Sequence, residues 1–239
     1  MAKRKIRRKE LKKPDEFITF SSRIIAWCQD NVRIVVGVLA SVAVLILITS
    51  AVFLFKARRE TKARDLYEEA LSLYQVESST NAGTANYSMA TAKLEEVKQR
   101  YHSTRVAANA LMDMGNIYFQ EGDYEKAIIC YTDFLQRTDA SHPLYEQALE
   151  SLGETYEAKG SWQEAVEVYQ RLASEGTPVY QAQAQLYLGR VYEAMGDQQE
   201  AMTHYDNYLN DSPALICGEW IRVKLRRWRQ AENPNPDVS

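Results

Sequence analysis

The chain has 239 residues, 46% apolar and 26% charged, with a formal net charge of -3, but residues 1–33 carry ten Lys or Arg against four Asp or Glu, residues 34–55 carry neither, and residues 56–239 carry 19 against 28. A charge distribution so uneven excludes a simple cytosolic globule. Three cysteines, Cys28, Cys130 and Cys217, exclude a disulfide-built mini-domain and are not spaced like metal ligands, while ten Gly and six Pro leave little room for a turn-rich β-sandwich.

In chain order, the first thirteen residues, MAKRKIRRKELKK, hold eight basic side chains, which suit anionic lipid headgroups when a membrane segment follows. After Pro14, Asp15 and Glu16 fit a first helical turn, and Phe17, Phe20, Ile24, Trp27 and Cys28 recur at helical spacing. Such a helix lies in the membrane interface with Trp27 at headgroup depth. The uncharged run 34–55, IVVGVLASVAVLILITSAVFLF, spans roughly 33 Å as a helix, the thickness of a bilayer's hydrocarbon core. It reads as a transmembrane helix; a cleaved signal peptide has a shorter apolar region after a short basic segment, whereas 33 residues precede this one. The basic excess of the whole tail puts the N-terminus in the cytoplasm. The local flanks point the other way, with Arg23 and Arg33 before the run against Lys56, Arg58, Arg59, Lys62 and Arg64 after it. The tail is short enough to count whole, and a large acidic C-terminal part can cross regardless of nearby charge, so the N-inside orientation is taken.

Self-similarity decides the rest. Gly115, Tyr118, Gly122, Ala127 and Tyr131 set the spacing G-x2-Y-x3-G-x4-A-x3-Y; Gly153, Tyr156, Gly160, Ala165 and Tyr169 repeat it, as do Gly189, Tyr192, Gly196, Ala201 and Tyr205. The first glycine admits a close second helix, the next ends the first helix, and Asp123, Ser161 and Asp197 cap the second. Alanine sits at the tightest helix contact, and the tyrosine four residues on fills the space beside it.

These residues resemble the tetratricopeptide repeat, most fully over 114–131, 152–169 and 188–205. The tryptophan expected early in the first helix is instead Leu111, Leu149 and Gln185, and the late proline stands in place only as Pro213. Extra residues fall in the connections around 141–143 and 176–178. Upstream, 62–75 and 87–101 read as a degenerate first hairpin joined by a polar loop, 78–86, with Ala90, Leu94 and Val97 inward. Downstream, 213–230 reads as a terminal helix: Ile216, Trp220, Leu225 and Trp228 cover the last repeat, and Arg222, Lys224, Arg226, Arg227 and Arg229 keep its outer side wet. The expected organisation is all-α: a basic tail with an interfacial helix (1–33), a transmembrane helix (34–55), a linker helix with the degenerate repeat (56–107), three repeats forming an α-solenoid (108–212), a cap (213–231) and a disordered tail (232–239).

No nucleophile elbow, phosphate loop or zinc signature occurs, so neither catalytic residue, cofactor nor metal is assigned. Glu200 and His204, four apart on one helix, read as a solvated pair rather than metal ligands, and His102 and His142 as solvated connection residues. Cys130 reads as a buried thiol rather than half of a bridge to Cys217. The resemblance implies a concave groove lined by Asn109, Met112, Asn116, Phe119 and Gln120, then Gln147, Glu150, Glu154 and Glu157, then Gln183, Leu186, Arg190 and Glu193. Of the family's carboxylate-clamping positions only Asn116 matches. Residues 66–219 hold 9 basic against 24 acidic side chains, which disfavours nucleic acid and favours a basic or mixed polypeptide. Glu150, Glu154 and Glu157 share one helix face, where like charges cost stability unless a cation offsets them. The whole layout resembles the bacterial inner-membrane ancillary subunits of the Sec translocon, which implies a non-enzymatic adaptor with a periplasmic repeat domain, passing emerging chains to chaperones. The alternative is a scaffold for envelope assembly or cell division.

Overall fold

The computed structural model describes residues 16–80, 85–211 and 217–232, and within these helices the backbone alone of residues 16–21, 24, 75–80, 85, 86, 217 and 232. All regular structure among the described residues is helical. The chain divides into two compact units, 1–58 and 59–239.

In the first unit, α1 (Glu16–Asp30) ends at Asn31, whose side-chain amide donates back to the Trp27 carbonyl at 2.9 Å. The expected proline start and Asp15 lie outside the described residues, as do the side chains of Phe17, Phe20 and Ile24; Trp27 is exposed. Next comes α2 (Val32–Thr80), which contains the run 34–55 and is long and apolar enough to cross a membrane, with a mean hydropathy of 2.8 in its most apolar window. Within the helix Ser41 donates to the Gly37 carbonyl at 2.8 Å and Thr49 to the Leu45 carbonyl at 3.0 Å. Unsatisfied polar atoms would be costly in hydrocarbon.

The second unit is an array of helical hairpins. The last part of α2 packs with α3 (Ala85–Arg100) through Ala63, Ala70, Ala90, Leu94 and Val97, all fully buried, against Met114 and Ile117 of α4 (Arg105–Gln120). The expected loop 78–86 is shorter than the sequence suggests. No proline stops α2 before Thr80, and α3 starts at Ala85; residues 81–84 lie outside the described set.

Three hairpins follow: α4 with α5 (Tyr124–Arg137), α6 (Tyr145–Lys159) with α7 (Trp162–Glu175), and α8 (Pro178–Met195) with α9 (Gln198–Asp211). The glycines at each turn, Gly122, Gly160 and Gly196, have φ of 76°, 80° and 83°, a left-handed backbone that side chains resist. Asp123 accepts from the Lys126 amide at 3.3 Å and Asp197 from the Glu200 amide at 3.2 Å, whereas Ser161 makes no side-chain cap bond.

Gly115, Gly153 and Gly189 admit the second helix of each hairpin through one of its side chains. A Cβ on Gly115 or Gly189 would stand 2.5 or 2.6 Å from the ring of Tyr131 or Tyr205, and one on Gly153 would collide with Tyr169. The glycine therefore makes room for a tyrosine ring laid across the first helix, while Ala127, Ala165 and Ala201 are fully buried beside it. The array ends with α10 (Cys217–Glu232), which buries Ile221 and Leu225 against Tyr205 and Tyr208. Pro213, Ile216 and the Cys217 side chain lie outside the described residues.

Candidate functional site

The residues assigned to the groove project from α4, α6 and α8, but they are not equally available. Met112 is 2% exposed and belongs to the core, which corrects its place in an open groove: its long apolar side chain fills the space between α4 and α6. Asn109 is half-buried, with an Oδ1 that finds no hydrogen-bond partner among the described residues. Phe119 lies against Tyr124 with ring centroids 5.7 Å apart, and Gln120 accepts from Tyr74 at 3.2 Å. Gln147 is exposed, and Leu186 packs toward the α9–α10 cluster.

The acidic positions are held in an ordered pattern. Tyr169 of α7 donates to Glu157 at 2.6 Å, and Arg190 of α8 grips the same carboxylate at 2.6 and 3.0 Å while its guanidinium lies 5.0 Å from the centre of the Tyr187 ring. One repeat later Tyr205 of α9 donates to Glu193 at 2.7 Å, and Lys224 of α10 grips that carboxylate at 2.6 Å with its ammonium 4.1 Å from the Trp220 ring. Each rung is thus a tyrosine, a glutamate, and a cation on an aromatic ring supplied by the next first-helix. Buried charge of this kind is retained only when paired and hydrogen-bonded. Glu150 is also engaged, accepting from Gln183 at 2.9 Å and from the Tyr187 hydroxyl.

These partners correct the expectation of an uncompensated acidic face at Glu150 and Glu157. Glu154 is the exception: it has no hydrogen bond or ion pair among the described residues. Burial, with Glu150 and then Glu157 beside it, holds the Glu154 carboxyl above the usual carboxylate range, against the pull of Arg190. The rung pattern fails here because Phe119 stands where Glu157 and Glu193 stand in later repeats, and Glu154 stands where Arg190 stands. Deprived of a carboxylate, the Tyr131 hydroxyl turns to Asn116, donating to its Oδ1 at 2.8 Å.

The sequence reading missed Tyr187 and gave Lys224 to the wet outer side of the cap, whereas the structure puts Tyr187 on Glu150 and Lys224 on Glu193. It also took His204 as solvated. That ring stacks on Tyr192 with centroids 5.3 Å apart and shares a hydrogen bond of 2.8 Å with Gln185. His142 is half-buried, edge-on to Phe134, its Nδ1 accepting from the Leu144 amide at 3.2 Å. Burial pushes the Cys130 thiol up to about 11, so it stays protonated and inert at neutral pH. Among the described residues no three His, Cys, Asp or Glu gather as metal ligands.

Hairpins of this register, stacked with a ring over a glycine and a left-handed glycine at each turn, define a helical-repeat domain. Tetratricopeptide-repeat models match residues 106–174 and 183–214, so the chain carries tetratricopeptide repeats. No curated protein matches the sequence. Among solved structures the fold is similar to a tetratricopeptide repeat protein from Parabacteroides merdae ATCC 43184, with TM-score 0.53 and 19% identity over 72% of this chain and 68% of that one. It is similar as well to two structures of MamA. One has TM-score 0.50 and 21% identity over 60% of this chain and 79% of that one. The other has TM-score 0.51 and 17% identity over 74% of this chain and 98% of that one. At these identities the likeness is one of fold.

Proposed function

We propose that this chain is a membrane-anchored, non-enzymatic adaptor whose repeats bind basic or mixed polypeptide segments on the face formed by α4, α6 and α8. The observation that carries the reading is Glu154: a half-buried carboxylate with no ion-pair partner among the described residues, at the step where the two following repeats each supply one. A lysine or arginine of a bound segment would take the missing place. Anchoring is supported by the run 34–55, and the basic tail supports a cytoplasmic N-terminus with contact to anionic headgroups. With the repeats on the periplasmic side of a bacterial inner membrane, the layout suits a subunit beside the Sec translocon that hands exported chains to chaperones.

One observation favours the scaffold reading. Glu150, Glu157 and Glu193 are satisfied inside the array, as in a surface that needs no ligand. A photo-crosslinking residue at exposed Gln147 in the full-length chain separates the two. An adaptor traps a spread of exported chains; a single stoichiometric partner would put the scaffold ahead. A phosphatase reporter fused after Asp237 is active if the repeats are periplasmic, and activity of a cytoplasm-only reporter there would reverse the orientation.

A further inference from the structure

The C-terminal end of the array carries a second, oppositely charged surface. Helix α10 holds five basic residues between 222 and 229 in a domain that is otherwise acidic. Arg222, Arg226 and Arg229 fall at i, i+4 and i+7, on one flank of the helix. With Leu209 and Asp206 of α9 and Leu225 of α10 they line a groove of about 410 Å³. Its two ends are already matched to acids, Arg229 to Asp206 at 2.5 Å and Arg222 to Glu219 at 3.5 Å. Between them Arg226 is exposed and has no hydrogen-bond or ion-pair partner among the described residues.

The repeat register explains why this flank is open. Gln185, Gly189 and Tyr192 of α8 face its partner helix: Gln185 and Tyr192 meet His204, and Gly189 lies under Tyr205. Arg222, Arg226 and Arg229 stand 37 residues after those three, on the side where a further second helix would pack. An arginine in the place of the ring-bearing glycine bars a close helix. It leaves instead a cleft with a cationic wall, floored by the partly exposed Leu209 over the buried Leu225.

We propose that the α9–α10 groove docks an extended acidic polypeptide segment of a partner, a carboxylate on Arg226 and a neighbouring apolar side chain on Leu209. Charge complementarity argues for this occupant, because the acidic body of the domain repels the same segment everywhere else and guides it to this end. The site is separate from the face bearing Glu154 and selects the opposite charge.

The test uses the full-length chain in phosphatidylcholine nanodiscs and a fluorescent eight-residue peptide alternating Glu and Leu. Wild type binds it, added salt weakens binding, and Arg226→Glu weakens it at least tenfold with an unchanged melting curve, while Arg226→Lys retains part of it. A Lys-Leu peptide binds independently of residue 226. Equal binding of the acidic peptide by wild type and Arg226→Glu overturns the proposal. Binding that emerges only when residues 233–239 are removed assigns the groove to the chain's own tail and also overturns it, as does Arg226-dependent binding of short-chain phosphatidylserine, or Arg226-dependent self-association, without binding of the peptide.

Discussion

Arg190 of α8 grips Glu157 of α6 with two hydrogen bonds, Nη2 to Oε1 at 2.6 Å and Nε to Oε2 at 3.0 Å, and joins two repeats through residues 33 apart. Glu157 keeps 14% of its side chain exposed and Arg190 keeps 49%, so removing the cation strands a mostly buried carboxylate beside Glu154. Arg190→Ala is expected to lose about 1–2 kcal/mol, less than for a fully buried pair because the guanidinium is half in water. Adding Glu157→Gln should restore part of that loss. Thermal unfolding of the detergent-solubilised chain in a double-mutant cycle measures the coupling, and strictly additive losses would remove the pair as a fastening.

Glu154 behaves in the opposite sense. Its folded pKa is raised, so the stability of its neutral form is complete below the unfolded carboxylate range and is lost as pH rises through the folded value. Glu154→Gln is therefore expected to raise the melting temperature at pH 7 while weakening capture of basic peptides. Replacing Glu150 and Glu157 along with Glu154 would mislead, because those two hold the array together. If Glu154→Gln binds basic peptides as tightly as wild type at low salt, the adaptor reading fails.

The two kinds of glycine give separable defects. Gly153→Ala drives a Cβ into the buried Tyr169 ring and is expected to cost about 1–3 kcal/mol by overpacking, with partial rescue by Tyr169→Val. Gly160→Ala meets no neighbour within 4 Å and pays only for its φ of 80°, about 1 kcal/mol, with no rescue from Tyr169→Val. Ala165→Leu, at a fully buried contact, is expected to cost about 1–3 kcal/mol. Melting temperatures of the set decide whether the hairpin register is as described.

Two histidines are expected to contribute to the acid side of the stability profile. Burial, helped by the Arg105 charge and opposed by Asp139, holds the His142 imidazole below its usual range; burial does the same to His204 against the pull of Glu200. For a base with a depressed folded pKa, stability is complete above the unfolded value of about 6.5 and is lost as pH falls through it toward the folded value. The melting temperature should thus fall between pH 7.5 and 5.5, and fall less in the His142→Gln/His204→Gln variant. Equal falls would place the acid sensitivity elsewhere.

The hairpins were readable because their signals are local. A glycine, a tyrosine sixteen residues on and a left-handed turn between them lie within one repeat, and spacing alone reveals them. The rungs were not readable because Arg190 reaches back 33 residues and Lys224 31, across connections of unequal length. The run of three glutamates looked like a field of free charge for the same reason. Met112 misled differently: its position is that of a groove residue, but its volume is what the core between two hairpins needs.

A series of modules parts at its least fastened joint. Charged rungs bind α6 to α8 and α8 to α10 along the groove, whereas at the α4–α6 step the Tyr131 hydroxyl stays within its own hairpin, on Asn116, and no charged rung joins α4 to α6 among the described residues. Heat or a pulling force would then open this step more readily than the α6–α8 step, and slow amide exchange would persist longest in α6 and α8. The same step carries Glu154, so a segment that brings a cation there acts as a clasp, and its arrival and its release each change how firmly the two halves of the array hold together.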